Sequence, residues 1–136
     1  MSKTIPVVRK FMTTTPFTVE PGAVLSAAHS LMKEKHIRHL PVCEGMKVVG
    51  MLSDGDLYRA ESITGVDASK VTISDIMTPK PYTVSPDAPI DEVVQEMAGK
   101  KFGSAVVVDN GKVVGMFTAT DALSAFAELL QTRLKH

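Results

Sequence analysis

Two stretches of the chain, GMLSDGDL at residues 50–57 and GMFTATDA at residues 115–122, each set an aspartate three positions after a hydroxyl side chain: Ser53 with Asp56, and Thr118 with Asp121. A carboxylate just past a strand end can accept two hydrogen bonds from a vicinal diol, as acidic residues do with ribose in dinucleotide-binding folds. The hydroxyl sits where a helix is about to start, and the free N–H groups and positive dipole end of a helix N-terminus favour phosphate. Diol at the carboxylate and phosphate near the hydroxyl describe a nucleoside phosphate. The same spacing is also that of a capping box, in which hydroxyl and carboxylate satisfy backbone donors of the following helix. Both uses can hold at once, since a Ser53 or Thr118 that caps leaves the aspartate side chain to face a cleft.

Other chemistry is poorly supplied. His36 and His39 frame HIRH, but their spacing spans a helix-to-strand transition and no cysteine or second histidine pair completes a four-ligand zinc site. Asp54, Asp56 and Glu61 lack the spacing of a calcium loop. Mg2+ accompanying a bound polyphosphate is the better expectation, and no dedicated metal site is expected. Neither G-x-S-x-G nor a P-loop lysine pattern occurs, so no catalytic residues are assigned and no enzyme is expected. The single cysteine, Cys43, lies in the apolar run LPVC and reads as a core thiol, which suits a reducing compartment. The eight methionines fall mostly at core-facing positions.

The elements that must position the two motifs repeat. Met12 and Met77 each open an MT dipeptide 65 residues apart, and at that offset the halves align without a gap. Pro16-Phe17-Thr18-Val19 matches Pro81-Tyr82-Thr83-Val84, and Lys47-Val48-Val49-Gly50-Met51 matches Lys112-Val113-Val114-Gly115-Met116. A long period present only twice argues for two copies of one supersecondary unit packed on each other, not a solenoid. In each copy a short extended piece ends at a proline. An amphipathic helix follows, with Val24, Leu25, Ala28, Leu31 and Met32 on one face in the first copy and Ile90, Val93, Val94, Met97 and Ala98 in the second. Pro89 suits the first helical turn and Gly99 the C-terminal stop.

Two β-rich runs then form a hairpin, LPVC with KVVGML and SAVVVD with KVVGMF, joined by EGM and NG turn chemistry. A second helix closes each copy, short from about Asp54 to Ala60, and long in copy two, where Ala122, Leu123, Phe126, Leu129, Leu130 and Leu134 mark one face. That long helix either covers its own domain or supplies a partner surface. The fold class is therefore α/β (α+β): two tandem β-α-β-β-α repeats, expected to pack with pseudo-twofold symmetry. The first repeat takes residues 1–60, a turn-rich linker residues 61–71, and the second repeat residues 72–136.

At 136 residues the chain makes one ordinary domain, or two half-size units that share a core. Fifteen basic and fifteen acidic residues cancel, which argues against non-specific nucleic-acid or membrane-surface binding. No segment reads as a secretion signal or membrane span, so a cytoplasmic protein is expected.

The ordered set of SDIMT, a PxTV strand, an amphipathic helix, HIRHLPV and h-h-G-h-h-[ST]-x-x-D, occurring twice, resembles the cystathionine-beta-synthase-type (CBS) domain, and the tandem resembles a CBS pair, or Bateman module. The resemblance implies a regulatory module that binds an adenosine ligand (AMP, ADP, ATP or S-adenosylmethionine) between its repeats. It also implies a homodimer, and since no effector domain is attached, the regulated partner is expected to be a separate protein, or absent. By position it puts Asp56 and Asp121 at the ribose diol and Ser53 and Thr118 at ribose or phosphate. Thr18, Ile37, Thr83 and Phe102 fall at the adenine slot. Arg38 and His39 face the phosphates, with Ser104 and Lys101 in the second copy. The two copies differ there, because Arg38 and His39 become Gly103 and Ser104, so one strong and one weak or empty site is expected. The competing reading is a dimerisation or interaction scaffold in which both motifs only cap helices.

Overall fold

Each repeat writes an amphipathic helix and then two strongly β-forming runs, and each becomes a helix packed on an antiparallel hairpin in the computed structural model, which describes residues 4–14, 17–63 and 65–134. In chain order the elements are β1 (Thr13–Thr14), α1 (Leu25–Lys35), β2 (His39–Glu44), β3 (Lys47–Ser53), α2 (Asp54–Glu61), α3 (Ile73–Ile76), β4 (Thr78–Pro79), β5 (Thr83–Val84), α4 (Ile90–Lys100), β6 (Ser104–Asp109), β7 (Lys112–Thr118) and α5 (Ala119–Leu134). A 3-10 turn at Val8–Lys10 precedes them. Pro16 and the side chain of Leu134 lie outside the described residues.

The chain divides into two compact units, Pro16–Pro81 and a second that joins Met1–Thr15 to Tyr82–His136. In the Pro16–Pro81 unit, β2 and β3 pair antiparallel with His39 opposite Ser53, β4 adds to β3, and Val19 bridges Val42 in parallel. Leu25, Ala28 and Met32 of α1 bury against Leu40, Val42 and Leu52 of the hairpin, with Leu57 and Ile73 completing the core. In the other unit β6 and β7 pair with Ser104 opposite Thr118, β1 adds antiparallel to β7, and β5 adds parallel to β6. Val8, Val93, Met97, Ala105, Val107 and Phe117 form its core. Both hairpins carry a register shift at matched places, Val42/Cys43 and Val107/Val108. Asn110 and Gly111 take the positive φ that the expected NG turn requires.

These units are drawn differently from the sequence repeats. Each sheet takes an edge strand from the opposite repeat: β4 belongs by sequence to the second copy and pairs in the first unit, while β1 belongs to the first copy and pairs in the second. Methionine and glycine fix the exchange. A Cβ at Gly50 would strike the Met77 side chain, and one at Gly115 would lie 2.7 Å from Met12 Sδ and 2.8 Å from the Thr13 carbonyl oxygen. The glycine of the h-h-G-h-h run is therefore a seat for the exchanged strand. Nor is the 61–71 segment a free linker. The start of α1 lacks a side-chain cap, and its Leu25 and Ser26 amides donate to the carbonyls of Val71 (2.8 Å) and Ala68 (3.0 Å).

Two helix ends differ from the sequence expectation. Pro89 is the N-cap of α4 and not its first residue, and Gly99 lies inside the helix. The stop is the left-handed Lys101 (φ 61°), matched in α1 by His36 (φ 55°). The Ile37 and Phe102 amides donate back to Met32 and Met97, the six-to-one bond of a Schellman ending.

Candidate functional site

Both hydroxyl–carboxylate pairs form complete capping boxes. Ser53 starts α2: the Asp56 amide donates to Ser53 Oγ (3.1 Å) and the Ser53 amide to Asp56 Oδ2 (2.9 Å). At the start of α5 the Asp121 amide donates to Thr118 Oγ1 (3.2 Å) and the Thr118 amide to Asp121 Oδ2 (2.9 Å). A further donor is consumed by the strand entrance, since Asp54 N–H bonds the Arg38 carbonyl (2.9 Å) and Ala119 N–H bonds that of Gly103 (3.0 Å). Three of the four amides that a helix start leaves open are thus bonded inside each unit. That leaves at most one backbone amide at each helix start for a phosphate, and side chains have to supply any further donors. Each carboxylate keeps Oδ1, whose lone pairs are what a diol needs.

The surroundings of those two oxygens differ. The Arg59 guanidinium donates to Asp56 Oδ1, closing an i,i+3 ion pair. At Asp121 the neighbour is Thr13 of β1, whose Oγ1 donates to Oδ1 over 3.4 Å, and the residue matching Arg59 is Ser124. Neither Arg59 nor Thr13 stands out in the sequence as a site residue. The signal for Arg59 is its spacing from Asp56; Thr13 has none, because it arrives through strand exchange.

The expected site residues sort cleanly by unit. Thr18, Ile37, Arg38, His39, Ser53 and Asp56 fall in Pro16–Pro81, and Thr83, Lys101, Phe102, Ser104, Thr118 and Asp121 in the other. Register puts His39 across from Ser53 and Ser104 across from Thr118. Thr18 and Thr83 are exposed at the parallel edge, and Ile37 and Phe102 follow the left-handed helix ends. Lys101 itself holds that left-handed position, with its side chain exposed. Tyr82, which sequence reasoning passed over, stacks on Phe102 with ring centroids 5.3 Å apart. Burial, then Glu96 and Glu92, push its phenol up from the ordinary tyrosine value. At the matched place Phe17 lies under the Lys35 ammonium, 5.3 Å from the ring centroid.

Two cavities open in the Pro16–Pro81 unit, the first of them next to the start of α2. One of about 240 Å³ opens between α1 and α2 beside Tyr58, Ile37 and Asp54, and one of about 300 Å³ beside Ser26, Ser30 and Lys33. His29 borders both and bonds Glu61 Oε1 at 2.6 Å, linking the two helices. Cys43 is buried, and burial pushes its thiol up. Among the described residues no helix is long and apolar enough to cross a membrane.

The family model described as the CBS domain matches residues 8–63 and again 73–128. Inosine-5'-monophosphate dehydrogenase of Korarchaeum cryptofilum is 32% identical over 134 residues, which are 98% of this chain and 27% of that enzyme. The chain spans about a fifth to a third of the length of that enzyme and of two further curated relatives. Among solved structures, the CBS domain pair of protein MJ0100 in complex with 5'-methylthioadenosine and S-adenosyl-L-methionine is 28% identical. It has a TM-score of 0.83 over 93% of this chain and 99% of that one. CBSX2 of Arabidopsis thaliana in complex with AMP is also 28% identical, with a TM-score of 0.80 over 91% and 98% of the two chains.

Proposed function

Because this chain belongs to the CBS domain family and carries two such domains, at residues 8–63 and 73–128, we propose that it is a regulatory module that binds an adenosine ligand and catalyses no reaction. The ligand class is AMP, ADP, ATP or S-adenosylmethionine, with Mg2+ accompanying a polyphosphate. One observation carries the reading: a carboxylate is fixed at each strand-to-helix junction, with one oxygen spent on the cap and the other outside it, where a diol would replace the Arg59 contact at Asp56 or the Thr13 contact at Asp121. The similar domain pairs solved with AMP and with S-adenosyl-L-methionine support the adenosine class. Ile37 or Phe102 with Thr18 or Thr83 would flank the base, and Arg38, His39, Ser104 and Lys101 would meet phosphates. The module would work as a cytoplasmic homodimer that reports ligand occupancy to the activity it regulates, which requires different affinities for two states.

The completed capping boxes favour one other reading, a scaffold that binds no ligand. Thermal unfolding with AMP, ADP, ATP, S-adenosylmethionine and GTP, with and without Mg2+, separates them. A ligand that binds only the folded state at a hundred times its Kd adds about 2.7 kcal/mol and raises the midpoint by several degrees. The sensor reading expects shifts with adenosine ligands and none with GTP. The scaffold reading expects none at all, with Asp121→Ala costing only about 1 kcal/mol as a lost cap.

A further inference from the structure

We infer that the unit carrying Asp121 holds the stronger of the two candidate sites, because the Pro16–Pro81 unit places cations on Asp56 and on Phe17 while, among the described residues, none lies on Asp121 or on the Tyr82–Phe102 pair. This rests on the adenosine-binding reading and says which site binds and what weakens the other. At the carboxylate, Arg59 holds the one oxygen of Asp56 that the cap leaves over. A diol has to displace that guanidinium first. The matching Ser124 carries no charge, and within its own unit, among the described residues, no cation pairs with Asp121. Its Thr13 contact, exposed and 3.4 Å long, yields easily to a better donor.

The base position shows the same difference through other residues. Lys35 and Lys100 end α1 and α4 at matched places. Lys100 is drawn to Glu96, four residues earlier, at 3.2 Å. The residue matching Glu96 is Leu31, so Lys35 lacks that i−4 carboxylate; its ammonium lies 3.7 Å from the neighbouring Glu34 Oε1 and 5.3 Å from the centroid of the Phe17 ring. Phe17, the chain neighbour of the Thr18 expected beside the base, is already used as a cation–π platform. In the other unit Tyr82 and Phe102 stack on each other and present aromatic surface for a base.

Equilibrium dialysis of the full chain with radiolabelled AMP, and separately with S-adenosylmethionine, tests this with wild type, Asp121→Asn, Asp56→Asn and Arg59→Ser. Asparagine keeps an acceptor for each cap, and unfolding curves verify that all variants are folded. The expected result is one tight equivalent per chain that Asp121→Asn removes, with Asp56→Asn acting on the weak phase alone. Arg59→Ser, which copies the residue at the matched position, should tighten the weak phase at least about threefold, the scale of a partly exposed ion pair. Loss of the tight phase in Asp56→Asn, two equal sites in wild type, or weaker binding in Arg59→Ser would each overturn the inference while leaving the adenosine reading standing. Wild type that binds neither probe would overturn both.

Discussion

Asp56 and Asp121 look interchangeable in the sequence, yet each is defined by the residue that meets its second oxygen, Arg59 in one case and Thr13 in the other. A capping box is specified by three or four consecutive residues and is legible locally. What occupies the remaining lone pairs depends on a side chain's reach or on a strand from elsewhere, so it is not. The glycines show the same limit. Nothing in the repeated run itself shows that Gly50 and Gly115 admit the exchanged strands. Gly115→Ala should therefore lower stability by about 1–3 kcal/mol, the usual cost of an overpacked site, as read by chemical denaturation. Met12 can swing aside, but the Thr13 carbonyl is ladder backbone and cannot, so adding Met12→Ala should recover only part of the loss.

At the level of elements, helices and hairpins were legible because each carries its own period, and the 65-residue offset doubled the signal. The matched register shifts and left-handed ends show that the two copies repeat in backbone detail as well. The edge pairings were hidden, since a two-residue strand has no period and its partner lies in the other repeat. Gly99 misled for a related reason: a helix stop needs one residue in the left-handed conformation, and Lys101 adopts it two positions later. Val8 makes the exchange measurable. It is fully buried in the core formed by residues of the second repeat, although it stands in the first. Val8→Ala should cost about 2 kcal/mol. By hydrogen exchange it should expose the amides of β6 and β7 while sparing those of β2 and β3.

For the whole molecule, α5 is the element that the fold accommodates least. Leu123 is 69% exposed and Phe126 56% exposed, and Leu129 and Leu130 are exposed with them. The sequence left open whether this face covers its own domain or meets a partner, and its exposure supports the second. An isolated helix of this length is marginal in water, so packing elsewhere is the expected source of its stability. If the second copy of a homodimer covers the stripe, Phe126→Glu should move the protein from dimer to monomer in sedimentation velocity and leave thermal shifts with AMP in place. The exchanged edge strands bear on ancestry. A lone copy of this repeat, at roughly sixty residues, buries little surface and carries an edge strand whose seat lies in another copy. Two such chains would complete each other by trading strands, as swapped dimers do. Gene fusion would then make the trade permanent within one polypeptide, which gives a physical reason for the repeat to occur as a pair.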